Sequence, residues 1–129
     1  MRKVVLLCAF LLLSACATTP PRSSPGHWLV GTWLMMSEGV EHPLACESGL
    51  PIAYNANGTY DLFEDSGTWR LEGNRLTEVA TQHHDSGGGH GSPELGRPYV
   101  STIQQSGPDA FRKTYADGTI ETFRRCPRA

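Results

Sequence analysis

Past its first fifteen residues the chain has no apolar run long enough to cross a bilayer as a helix. No window keeps a 3.6-residue apolar period, which leaves little room for α-helix. No G-x-S-x-G marks a nucleophile elbow, and neither a P-loop nor a dinucleotide fingerprint is present. Gly87-Gly88-Gly89 lacks the following helix that would cradle a phosphate. No C-x-x-C pair offers thiolates to a metal. A basic run is missing too, which argues against nucleic acid as a partner and against a polybasic lipid-binding surface. Ser86 beside His84, His90 and Asp85 comes nearest to a triad, but neighbours on a glycine-rich loop rarely hold triad geometry. Asp61, Glu64 and Asp65 read as solvated turn charges rather than paired catalytic carboxylates. These absences point to a protein that is not an enzyme.

What is present begins with an address. Arg2 and Lys3 give a positive start, Val4 to Leu13 is almost unbroken apolar sequence, and small residues lead into Cys16. That order is a secretory signal, too short to persist as a spanning helix. Leu13-Ser14-Ala15-Cys16 closely resembles the lipobox of bacterial lipoproteins. The resemblance implies cleavage after residue 15, a diacylated sulfur on Cys16 and an acylated new amino group. Each buried methylene contributes roughly 0.8 kcal/mol, so two or more chains would anchor the protein stably. In that family the residue after the cysteine directs sorting. Ala17 stands where an Asp would favour inner-membrane retention, so the implied location is the outer membrane, facing the periplasm.

Removing residues 1–15 takes Arg2 and Lys3 with it, leaving nine basic and thirteen acidic residues and a net charge of −4. The remaining residues, 16–129, suffice for one domain with its own core. Residues 16–26, with three prolines and four Ser or Thr after Cys16, read as a tether, and the folded domain is expected over 27–129. Cys8 lies in the discarded signal and Cys16 carries lipid, so Cys46 and Cys126 remain for each other. An exported compartment is oxidising, which makes their disulfide the expected state. Closing so long a loop is worth up to ~4 kcal/mol in the chain-entropy account.

Turn signals then recur at short intervals. Ser48-Gly49, Asn57-Gly58, Ser66-Gly67, Gly73-Asn74, the 85–91 stretch, Ser106-Gly107 and Asp117-Gly118 separate runs rich in β-branched and aromatic residues. The runs are 59–63, 68–71, 76–79, 99–104, 111–115 and 119–124, with Val30 to Met36 before them. Trp69 and Leu71 alternate with Thr68, Arg70 and Glu72, and Tyr60 and Leu62 with Thr59 and Asp61, the pattern of half-buried strands. Val30 to Met36 is apolar on both faces and is expected to be the most enclosed strand. The fold class expected is all-β: a small antiparallel up-and-down barrel of about eight strands, with almost no helix.

Gly31-Thr32-Trp33 resembles the Gly-x-Trp motif that opens the first strand of lipocalins. The rhythm of Asn57-Gly58-Thr59-Tyr60, Gly67-Thr68-Trp69-Arg70-Leu71 and Gly73-Asn74-Arg75-Leu76 is similar to that of lipocalin-like envelope domains. The likeness runs over roughly 28–125 and implies that Trp33 packs across the closed end, beneath a turn at Trp28-Leu29-Val30. An arginine from the last strand would lie over the indole, Arg124 or its neighbour Arg125, with Arg124 taken first. It also implies a small apolar or amphipathic ligand held near the mouth, beside Tyr60, Tyr99 and Tyr115. Eight strands in so few residues make a barrel that its own side chains can fill. The alternative is therefore an envelope-maintenance lipoprotein that binds another protein, in the manner of small lysozyme inhibitors. His83, His84, Asp85 and His90 form the densest set of metal-ligating residues, a third possibility directed at Zn²⁺ or Cu²⁺. No cofactor is otherwise expected, and the protein is expected to be a monomer.

Overall fold

The computed structural model describes residues 27–36, 45–48, 51–63, 65–83 and 93–128. The signal, the tether with Cys16, and His84, Asp85 and His90 lie outside the described residues. Eight antiparallel strands close into one barrel in sequence order. They are β1 (Gly31–Met36), β2 (Ile52–Tyr54), β3 (Thr59–Leu62), β4 (Asp65–Glu72), β5 (Arg75–His83), β6 (Pro98–Gly107), β7 (Ala110–Tyr115) and β8 (Ile120–Arg125). Closure comes from β1 pairing with β8, where Trp33 stands opposite Arg125 and Met35 opposite Phe123. The described helix content is a single turn, α1 (Ala45–Ser48).

The barrel has two unlike ends. Strands β1, β3, β5 and β7 run away from one end and β2, β4, β6 and β8 run toward it. That end carries the tight hairpins at 55–58, 73–74 and 107–109. Asn55 and Gly58 close the first hairpin, with Gly58 N–H donating to the Asn55 carbonyl at 3.0 Å. Gly58 and Gly73 supply the positive φ these short turns require. Residues 27–30 form a turn here, sealed by the Val30 N–H on the His27 carbonyl at 2.9 Å. A disulfide between Cys46 and Cys126 pins α1 against the same end. The opposite end is the mouth, where β5 continues past the point at which β6 begins. Val79 is the last β5 residue paired with β6, opposite Pro98.

The core fills the closed half. Trp33 and Phe111 meet edge to face at 4.8 Å, Phe111 stacks on Phe123 at 4.7 Å, and Trp28 caps Phe111 at 5.8 Å. Leu29, Leu76, Ile103 and Tyr54 complete the buried layer. Burying a side chain of this size contributes about 1.5–3 kcal/mol, so these residues are the main source of stability. Buried indoles need a partner for their N–H. Trp33 Nε1 donates to the Leu29 carbonyl at 2.8 Å, and Trp69 Nε1 to the Asn55 carbonyl at 3.1 Å.

Two sequence expectations change, and one strand was not anticipated. Ser66-Gly67 is no turn: it lies inside β4 at a bulge against β5. A side chain at 67 would put Cβ 2.1 Å from the Val79 carbonyl oxygen and 2.8 Å from the Tyr60 ring, so glycine here serves close approach. The first strand is not the most enclosed, because Met35 reaches the mouth and is 47% exposed. The short strand β2 had no signal of its own beyond Ile52-Ala53-Tyr54.

Candidate functional site

At the closed end the residues expected to shut the barrel are Gly31, Trp33 and Arg124. Arg125, not Arg124, lies over Trp33, its guanidinium carbon 4.1 Å from the ring centroid. Strand parity decides this: Phe123 faces the interior, Arg125 follows it two residues on, and Arg124 points to solvent. Arg125 also donates to the Val30 carbonyl at 2.9 Å and the Trp28 carbonyl at 2.6 Å, and pairs with Asp109 at 3.3 Å. Gly31, at φ +140°, makes room for it, since a Cβ there would stand 2.4 Å from Arg125 Nη1. The arginine thus clamps the leading turn onto the indole. This is a structural closure.

Above the core the interior becomes polar. Tyr54 Oη donates to Glu78 Oε1 at 2.6 Å, and Lys113 Nζ donates to Glu78 Oε2 at 2.6 Å. Glu78 and Lys113 are both nearly inaccessible to solvent, so each supplies the partner that lets the other be buried. Burial and the Glu78 charge push the Tyr54 hydroxyl well above its ordinary pKa, which keeps it a donor. Lys113 Nζ also lies 5.2 Å from the Tyr115 ring centroid. Tyr115 Oη donates to Glu121 Oε2, and burial followed by that bond raises its pKa far above the usual value.

This layer floors a groove of about 590 Å³ that opens at the mouth. Glu78, Tyr99, Ser101, Tyr115 and Glu121 line it from inward-facing positions, with Arg97 and Asp117 at its lip. The register explains their convergence: Tyr99 stands opposite Glu78, Ser101 opposite Tyr115, and Lys113 opposite Glu121. Of the tyrosines expected at the mouth, Tyr99 and Tyr115 meet here. Tyr60 does not; it is a core residue, 3% exposed, with its hydroxyl pushed up to about 12 by burial and the nearby Glu78 and Asp65 charges.

His83 ends β5 on the opposite rim, where its Nδ1 meets the Asp65 carboxylate across the β4–β5 ladder. Among the described residues no group of three or more His, Cys, Asp or Glu side chains is placed to share a metal.

The polar layer was not picked out from sequence, though a signal existed. Glu78 falls on the inward parity of Leu76 and Ala80, and Lys113 on that of Phe111. A charge on the apolar face of a strand needs a partner, and here each is the partner of the other. No known family model, curated protein or solved structure matches the chain.

Proposed function

We propose that the protein is a non-catalytic envelope lipoprotein whose barrel holds a small amphipathic molecule at its mouth. The observation that carries this is the groove between β5 and β8, walled by the Tyr99 and Tyr115 rings above a polar floor. Apolar walls with a few convergent polar groups are the usual make-up of a small-molecule site. The closed half is filled by Trp33, Phe111 and Phe123, so the ligand lies on the mouth and not deep in the barrel. The groove's serine hydroxyl, Ser101 Oγ, makes no hydrogen bond, so no general base is engaged with it.

The anchoring half of the reading rests on Leu13-Ser14-Ala15-Cys16, and the barrel half on the Gly31 and Trp33 closure, with Arg125 in the place the lipocalin likeness gave first to Arg124. A second reading, docking of another envelope protein, is favoured by Phe63. That residue is 70% exposed on the β3–β4 turn and held at φ +39°, unusual for a bulky side chain.

Native mass spectrometry of the full chain carrying Cys16→Ala, recovered from the periplasm, separates these. A retained small-molecule adduct is expected. A bare, oxidised mass with capture of a defined envelope protein through Phe63 would overturn ligand binding in favour of docking. Lipidation is tested by the same variant: it leaves the membrane fraction if Cys16 is the anchor, and an acylated, membrane-bound Cys16→Ala protein would end that reading.

A further inference from the structure

The groove carries a charge that its own cation does not balance. Lys113 is paired with Glu78, so neither offers a net charge to a ligand. Glu121 and Asp117 remain on the lining, opposed by Arg97, which is itself bridged to Glu94 at 3.3 Å. Asp117 is held ionised by its hydrogen bond from the Thr119 N–H at 2.9 Å. Charge alone would not define a site. Ser101 adds the independent sign: it is 4% exposed, lines the groove, and its hydroxyl has no hydrogen-bond partner. Buried hydroxyls are nearly always paired, so an unpartnered one on a groove floor points to a group delivered by something that binds there.

Building on the mouth-groove reading, we infer that the ligand is a cationic amphiphile. Its primary ammonium is neutralised by Glu121 and donates to Ser101 Oγ, and its apolar body lies against Tyr99 and Tyr115. The aromatic walls suit this class twice over, because a ring face attracts a cation as well as burying apolar surface. Tyr115 fits the same arrangement. Its hydroxyl hydrogen bond aligns the Glu121 carboxylate, and Lys113 beneath the ring is already satisfied by Glu78.

The test uses four octyl probes, octylammonium, octyltrimethylammonium, octanoate and octanol, titrated calorimetrically against the Cys16→Ala full chain. Octylammonium is expected to bind most tightly, and to weaken about tenfold or more in Glu121→Gln, which removes the charge yet keeps an acceptor for Tyr115. Octanol binding should weaken far less than octylammonium binding in that variant, and an unshifted unfolding midpoint in urea shows that it has folded. Ser101→Ala should weaken octylammonium about threefold. It should leave octyltrimethylammonium, which has no N–H to donate, as it was. If octanoate or octanol binds as tightly as octylammonium, or Glu121→Gln leaves octylammonium unaffected, the cationic class is wrong while the groove remains a binding site. If none of the probes binds, the groove reading falls with it.

Discussion

The two ends of this barrel solve opposite problems with the same alternating strands. At the closed end the buried inward side chains are aromatic or aliphatic, and the one charged group among them, Arg125, is occupied by an indole face, two carbonyls and Asp109. On the groove side of the mouth the inward positions are Glu78, Tyr99, Ser101, Tyr115 and Glu121. Large exposed apolar side chains follow the same division. Among the described residues they are Met35, Phe63, Leu95, Tyr99, Val100 and Ile120, all toward the mouth. His27, where the described chain starts, sits at the closed end, its ring 6.1 Å from that of Trp69. Under the anchor proposed at Cys16, residues 16–26 would join the barrel at its finished end. One end provides stability and the other offers a surface.

That contrast is most easily broken at Phe111, which touches Trp28, Trp33 and Phe123 and is completely buried. Phe111→Ala should cost about 4 kcal/mol, the transfer of the ring plus the cavity it leaves. Urea unfolding would show it, and a loss below about 1 kcal/mol would mean that the closed end is not where stability resides.

The polar layer between the ends comes next. Lys113→Met strands a buried carboxylate beneath the groove and should cost about 3 kcal/mol. Adding Glu78→Gln should recover most of that loss, because a neutral amide can still accept from Tyr54 and no charge is left unpaired. A double variant as unstable as the single would show that the pair itself, and not the orphaned charge, holds the layer.

Much of the closed end was legible in the sequence, and the reason is local. Gly31-Thr32-Trp33 sits within one strand, the Asn57-Gly58 turn specifies its own backbone, and alternation assigns Trp69 to the interior. The choice between Arg124 and Arg125 was also available, from the parity of Phe123, but a motif gives no register. Ser66-Gly67 misled because a glycine required for close approach to β5 looks like one required for a turn. The mouth was legible only in fragments. Its groove joins residues from β5, β6, β7 and β8, brought together by pairings such as Glu78 with Tyr99 and Lys113 with Glu121. No window of sequence contains that arrangement. Tyr60 shows the limit from the other side: it shares residue type and strand pattern with Tyr99, yet it packs in the core beside Gly67.

A gentler comparison is made by alkaline titration. The hydroxyls of Tyr54, Tyr60 and Tyr115 are all raised above the ordinary value of 10.0, Tyr60 to about 12. In the unfolded chain these phenols lose their protons first, so the folded state holds more protons than the unfolded one above pH 10. Stability is then full below pH 10 and declines as pH rises through the raised values. The slope is on the order of 1.4 kcal/mol per pH unit for each such tyrosine. Tyr60→Phe should flatten the decline between pH 10 and about 12, since it removes one of those protons. An unchanged slope would place the alkaline sensitivity elsewhere.

The smallest expected effect on stability falls at the mouth. Tyr99 is 40% exposed, touches Arg97 at 6.0 Å from its ring centroid, and accepts the Glu94 N–H at 3.2 Å. Tyr99→Ala removes a wall of the groove without opening the core, so unfolding free energy should change by no more than about 0.5 kcal/mol. Ligand retention should fall sharply in the same variant. Equal stability with undiminished retention would show that the ligand rests elsewhere on the mouth. A large loss of stability would instead show that Tyr99 helps close the barrel, and that the division between a finished end and an open one does not hold at β6.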